Sequence, residues 1–486
     1  MTTFGQRALA ARARASGPRG AGRLETQTRL VVAAASLFGV AGVLAAAACG
    51  GAPSPRLPTT DLPPATRSAP ERPARCDTTA TAGAALQPLI DTLPERGTLC
   101  LVSGDYVGPI SITRSATLWG PADAVVLSRG VGTTIAVDGS DIQIMGFTID
   151  GSGGRFDVLD AALHITGHDV RAEGLLVRNA VFGLLVEKAS KITLKNNEIH
   201  GLTEGPIGQR GDPIRLWETR DSLVESNRVL AGRDVVVWYA THNRIIGNLV
   251  TDGRYGTHLM YSHDNVIEGN QLLNNVVGIF LMYSRDVVVR GNSIIGASGP
   301  AGMGLGMKEC GNLTVAGNAL LDNTIGLYLD TTPLQESDRD IFSNNLIGFG
   351  ETAIVFHSSE DRNLFQDNSF RDNRAQVRVD GNGHARAVTW RGNHFDDYQG
   401  YDLDGDGVGD IPYELRSLSG ELVQRKPELA FLTGTPALWM MDAVTHIAPL
   451  LAPPLILSDP TPRMVPAPLD YRAAALTKDW EARDAR

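Results

Sequence analysis

Two groups of residues in this chain have types and spacing suited to chemistry. The first is His258, Met260 and Met282. Thioether sulfur and neutral imidazole are soft donors, and two Met with one His beside them suit a soft cation such as Cu(I) in transit. Met is also a common gap filler in apolar packing, so the same residues fit a plain packed surface. The second group is Asp402-Leu-Asp404-Gly-Asp406-Gly-Val-Gly-Asp410, with carboxylates at positions 1, 3, 5 and 9 and Gly at position 6. That is the first part of a Ca²⁺ loop, in which alternate side chains and a sharp Gly turn gather oxygens around a hard cation. The twelfth position holds Tyr413 instead of Glu, so the closing ligand is missing or comes from Asp396, Asp397 or Glu414. A structural Ca²⁺ is the expectation; a solvated acidic turn is the alternative.

The elements that must position these groups are read from self-similarity. A turn Asn followed two places on by an apolar residue recurs at Asn197, Asn227, Asn248, Asn270, Asn292, Asn318, Asn345, Asn368 and Asn393, at intervals of 21 to 30 residues. A unit near 22 residues is too short for a propeller blade of ~40 to 45 residues and lacks helical periodicity. It has the length of one coil of a parallel β-helix, in which equivalent residues of successive coils stack into ladders ~4.8 Å apart. The predicted fold is all-β, a right-handed parallel β-helix of about a dozen coils over 76–410. A short cap helix at 84–93 covers one end, and a helical or irregular extension over 411–486 caps the other or docks on a partner.

Gly256, Gly278, Gly304 and Gly326 set a common register. Two places on stand His258, Phe280, Gly306 and Tyr328; four places on stand Met260, Met282, Lys308 and Asp330. One and two periods earlier that last column holds Trp238 and Trp217. The intervening Thr257, Leu259, Ile279, Leu281, Leu305, Met307, Leu327 and Leu329 face inward. Trp217, Trp238, His258, Met260, Phe280 and Met282 therefore share an outer face, edged by Tyr239, Tyr261 and Tyr283. Large apolar groups pointing outward need a cover. A loop over 332–340 folding across them is one reading. A docking surface through Trp217, Trp238, Phe280, Tyr261 and Tyr283 is the second, and copper transit through His258, Met260 and Met282 is the third. β-Helices also carry polysaccharide lyases and epimerases, whose chemistry needs paired acids or a base beside a cation. The columns as aligned offer no outward acid cluster with a nearby Lys or Arg, so an enzyme is the minor reading; a surface adhesin is a further rival.

The chain has 486 residues, 43% hydrophobic and 6% aromatic, with 53 Gly. Before position 49 lie six Arg and one Glu, which leaves 38 basic against 53 acidic residues elsewhere, a net −15. So acidic a body excludes nucleic acid as a partner. The Arg-rich start, the apolar run over 30–48 and the small residues before Cys49 have the order of a secretory signal, with Cys49 placed as a lipoprotein lipidation site; a retained membrane anchor is the alternative. Either reading makes the remainder extracytoplasmic. Residues 49–75 are a Pro-rich tether. Cys76 and Cys100 are expected to pair in an oxidising compartment, leaving Cys310 as a small buried hydrophobe.

In combination, Arg254-Tyr-Gly-Thr-His-Leu-Met-Tyr-Ser262, Gly278-Ile-Phe-Leu-Met-Tyr-Ser284, Gly304-Leu-Gly-Met-Lys308, Gly326-Leu-Tyr-Leu-Asp330 with Pro333, and Tyr401 through Tyr413 resemble the NosD family, periplasmic accessory proteins of nitrous oxide reductase. The resemblance runs from about residue 76 to about 468. It implies a right-handed parallel β-helix related to the carbohydrate-binding and sugar-hydrolase repeat proteins, for which the leading reading here is a non-catalytic docking scaffold. It also implies partnership with an ABC-type ATPase and its membrane permease, docking of a copper chaperone lipoprotein, and maturation of the copper-sulfide centre of the reductase. The basic segment, Cys49 and the tether depart from the simple signal peptide the resemblance implies, and suggest membrane attachment independent of the permease. No phosphate loop is present in the sequence, so energy must come from partners.

Overall fold

A computed structural model describes residues 70–357, 361–380, 385–417 and 455–467, with single residues and short pieces between 420 and 453. The chain divides into units 1–53 and 54–486, the first wholly outside the described residues. The expected signal, Cys49 and most of the tether also lie outside them. Among the described residues no helix is long and apolar enough to cross a membrane.

Three parallel sheets of 14, 13 and 12 strands wind together, each strand pairing with the strand one coil later. They run from Thr78–Ala80 to Thr389–Arg391, from Gly104–Val107 to His394–Phe395, and from Ile110–Ile112 to Ala375–Asp380. This is the parallel β-helix read from the sequence, with up to two coils more than the dozen expected. Its interior is one continuous core, from Leu99 and Ile112 through Leu259 and Ile279 to Phe365 and Phe395.

The turn Asn residues form a buried ladder. The amide nitrogen and side-chain Nδ2 of Asn270 both donate to Oδ1 of Asn292 at 2.9 Å, and Nδ2 also donates to the Ile245 carbonyl. The same arrangement repeats from Asn197 to Asn393. Asn fits because one side chain supplies both the acceptor and the donors that a buried corner needs.

Both ends are closed. The helix Leu86–Asp91 buries Leu86 and Ile90, and its Gln87 side chain bonds both the N–H and the carbonyl of Ser111, satisfying the edge of the first strand in the 12-stranded sheet. Cys76 and Cys100 are joined by a disulfide and Cys310 is free and fully buried, as expected, its thiol pushed up to about 12 by burial. At the other end Tyr413–Arg416 pairs antiparallel with Leu455–Asp459. Tyr413 stacks on Phe395 at 3.8 Å, and Asp459 accepts from the backbone and side-chain nitrogens of Asn393. Of the helix expected over 436–451, residues 436–438 and 440–441 are helical and the others lie outside the described residues.

Candidate functional site

The 12-stranded sheet carries the outer face. Its register places Trp217, Trp238, Met260, Met282, Lys308, Asp330, His357 and Asp380 in one column. Arg215, Val236, His258, Phe280, Gly306, Tyr328, Val355 and Arg378 form the next. The inward set, Thr257 through Leu329, is buried. All six residues expected on this face are brought together there.

Their packing is ordered from the N-terminal side. Arg215 lies over the rings of Trp217 and Trp238, with its guanidinium carbon 4.7 and 5.3 Å from their centres. Trp238 meets His258 edge-on at 5.4 Å. Phe280 lies 6.1 Å from His258 and extends across Gly306, where an added Cβ would sit 2.3 Å from the Phe280 ring. Tyr239, Tyr261 and Tyr283 stack at 5.4 and 4.7 Å along the edge, and Trp217 joins the stack at 5.4 Å from Tyr239. Tyr239 and Tyr261 remain 45% and 43% exposed, so this edge is open to a partner.

The loop at 332–340 does not cover this edge. It is fixed to the neighbouring corner, where Asp338 pairs with Arg285, the Leu334 N–H donates to the Cys310 carbonyl and Arg362 donates to the Pro333 carbonyl. The cis peptide before Pro333 lies within that turn.

His258 is the chemically unusual member. It is 6% exposed, and neither Nδ1 nor Nε2 has a hydrogen-bond partner. Burial pulls its imidazole down to about 4, against the opposing pull of Asp234. The ring is therefore neutral at neutral pH, the form that ligates metal. Met260 and Met282 are adjacent rungs and both half-buried.

A second ring system and a charge ladder complete the site, and neither was read from the sequence. Arg215, Asp212, Arg233, Asp234 and Arg254 alternate in sign along the beginnings of successive strands. Asp212 is fully buried, and burial raises its pKa despite Arg233. Their separations of 20 to 22 residues between coils are the coil period itself, which was the available signal. Tyr255 was missed because strict alternation from His258 sends it inward. A register shift between Asp234 and Val236 in the pairing with Tyr255–Met260 inserts one residue and turns the ring out.

The face also corrects an expectation. Lys308 donates to Asp330 at 2.8 Å, Arg378 pairs with Asp380 at 3.1 Å, and Tyr328 stacks against His357 between them. Outward acids beside cations do exist, in the coils after the aromatic patch. Lys308 and Asp330 stand in the Gly-marked column itself, whereas Arg378 and Asp380 are hidden because Ala353 and Gln376 replace Gly in the next two coils.

At the last coil the carboxylates of Asp402, Asp404 and Asp406 come within 4.8 Å of one another. Asp410 stands apart from that group, accepting from the Leu403 N–H. Asp402 accepts from the N–H groups of Gly405, Asp406 and Gly407; the Gly407 and Gly405 bonds help hold its pKa below the usual range. The three candidates for a closing ligand are engaged elsewhere: Asp396 with Asp372 and Gln376, Asp397 with the Tyr413 hydroxyl, and Glu414 with Arg416.

Fold and face together define a parallel β-helix protein with an aromatic and thioether outer surface built around an occluded imidazole. Residues 202–400, which contain that surface, match the family model described as NosD, periplasmic copper-binding protein. A probable ABC transporter binding protein NosD of Pseudomonas aeruginosa is 29% identical over 387 residues, 75% of this chain and 89% of that protein. Its namesake in Stutzerimonas stutzeri is 27% identical over 372 residues, 73% of this chain and 84% of that protein. Among solved structures, the A-module of a mannuronan C-5 epimerase from Azotobacter vinelandii aligns with 66% of this chain and 97% of its own at 14% identity and a TM-score of 0.49.

Proposed function

We propose that this protein is a non-catalytic periplasmic scaffold for copper-site maturation of nitrous oxide reductase. It docks a copper chaperone lipoprotein and the reductase on the face carrying Trp217, Trp238, Phe280, Tyr261 and Tyr283, within a complex that includes an ABC-type ATPase and its permease. Copper passes as cargo through His258, Met260 and Met282. The observation that carries this reading is the neutral, unpartnered His258 imidazole beside two adjacent thioethers. A purely structural surface gains nothing from burying two unpaired ring nitrogens. The description of the matched family as periplasmic and copper-binding, and the relatives' name as ABC transporter binding proteins, agree with it. The Asp402, Asp404 and Asp406 cluster is proposed as a structural Ca²⁺ site.

The test is Cu(I) titration of the full chain against a colorimetric chelator. Replacing both Met260 and Met282 by Leu keeps volume and hydrophobicity and is expected to abolish Cu(I) retention while leaving the unfolding midpoint near that of wild type. Unchanged retention refutes the copper route. A carbohydrate-active enzyme is the second reading, favoured by Lys308, Asp330, Arg378 and Asp380. Cleavage or epimerisation of a uronate polymer, lost in Asp330→Asn, would establish it.

A further inference from the structure

The ring nitrogens of His258 are sealed from solvent, so any ligand that reaches them needs an opening. The residue over the ring is Tyr255, centred 4.8 Å from the imidazole and stacked 5.8 Å from Phe280 with the rings 10° from parallel. Trp238 closes the opposite side. Trp238 and Phe280 extend from regular strand positions, one coil before and one after His258. Tyr255 does not: it sits at the register shift, the single irregularity in this part of the ladder. Such a bulge re-aims a side chain and is over-represented beside functional sites.

Tyr255 is also the ring that is tied down from behind. The fully buried carboxylate of Asp234 accepts from its backbone N–H at 3.2 Å, and it accepts from Arg254 through both Nε, at 2.9 Å, and Nη2. The Arg254 guanidinium in turn lies over the Tyr255 ring at 4.7 Å. One buried acid thus fixes both the ring's backbone and the cation that clamps its outer side.

Resting on the copper reading above, we infer that Tyr255 is the access-controlling residue of the His258 site, held shut by the Arg254 and Asp234 pair. While the ring is closed, a hydrated cation has no path to the imidazole. The site therefore admits a cation only when Tyr255 swings away, and only one that gives up its water to enter an aromatic cage. Asp234 and Arg254 act through Tyr255 and are positioning residues.

The experiment reads access directly and does not require copper. Full-length apoprotein is treated with diethyl pyrocarbonate at neutral pH, and labelling of His258 is followed by peptide mass spectrometry with exposed His242 as internal reference. Because labelling of a sealed ring proceeds through local opening, His258 is expected to react at least about tenfold more slowly than His242 in the wild type. Tyr255→Ala is expected to remove that protection, Arg254→Gln to weaken it with the ring still present, and Tyr255→Phe to retain it. If Tyr255→Ala fails to fold, Arg254→Gln against Tyr255→Phe carries the comparison. Wild-type His258 labelled as fast as His242, or protection unchanged in both opening variants, overturns the cover. Cu(I) alone is then added to the same proteins. The predicted labelling pattern without Cu(I) uptake by any variant keeps the cover and removes the copper route. Uptake together with an unprotected wild-type His258 does the reverse.

Discussion

Replacing His258 by Leu should stabilise the protein, and by an amount that grows on acidification. In the wild type two ring nitrogens are buried without partners. Leaving a buried polar group unsatisfied costs about 1–3 kcal/mol, and the imidazole recovers part of that through its ring contacts, worth about 0.5–1.5 kcal/mol for an aromatic pair. Leu fills a similar space with no polar atom, so the variant should gain about 1–2 kcal/mol at pH 7. The pH dependence follows from the pKa of about 4 against 6.5 for an ordinary histidine. Between those values the unfolded chain holds more protons than the folded one, so the wild type loses stability as pH falls through the window. At pH 5 that loss is about 2 kcal/mol, and the variant does not share it. All other titrating groups are common to both proteins and cancel in the difference. Urea unfolding followed by circular dichroism at pH 7 and pH 5 measures both numbers. A variant less stable than wild type at pH 7, or a gap that does not widen at pH 5, would refute the reasoning, because either outcome means that the imidazole is hydrogen-bonded in the folded protein.

Two further outcomes are expected. Asp340 is fully buried, its carboxyl pushed up to about 6 by burial although the Leu313 N–H and the Thr332 hydroxyl donate to it. Its folded pKa lies above the ordinary value, so its contribution is present at low pH and lost as pH rises through 6; Asp340→Asn should gain about 1–3 kcal/mol at pH 8 and little at pH 4, read as melting temperatures. Millimolar Ca²⁺ should raise the melting temperature of wild type, an effect reversed by a chelator and absent when Asp404 and Asp406 are both changed to Asn; no shift with Ca²⁺ refutes the calcium site.

The coil, the ladder and the two outward columns were legible because a solenoid writes its geometry into the spacing of residues: whatever recurs once per coil is stacked. Arg233 and Arg254 recur in the same way, but charged residues at strand ends read as solvated unless their buried partners are known. Tyr255 was hidden for the opposite reason, since the inserted residue breaks the alternation from which facing is inferred. Lys308 and Asp330 fall in the Gly-marked column, but Arg378 and Asp380 lie past Gly326, in coils where the marker Gly is absent. The end of the fold was the least legible part. Asp459 lies 66 residues beyond Asn393, and no repeat connects the two.

That last contact decides how the ladder ends. In the Asn ladder each backbone N–H and one side-chain N–H point to the next Asn, while the other side-chain N–H returns to a carbonyl of the preceding coil, so the row of Asn-to-Asn bonds has a donor end. Left bare at Asn393, that end would present unpaired donors at a sheet edge. Asp459 occupies the place where the next Asn would stand and takes both donations, and a carboxylate has no N–H to pass on. The ladder therefore stops at Asp459, and the tail that supplies it closes the last coil with the functional group of a single side chain.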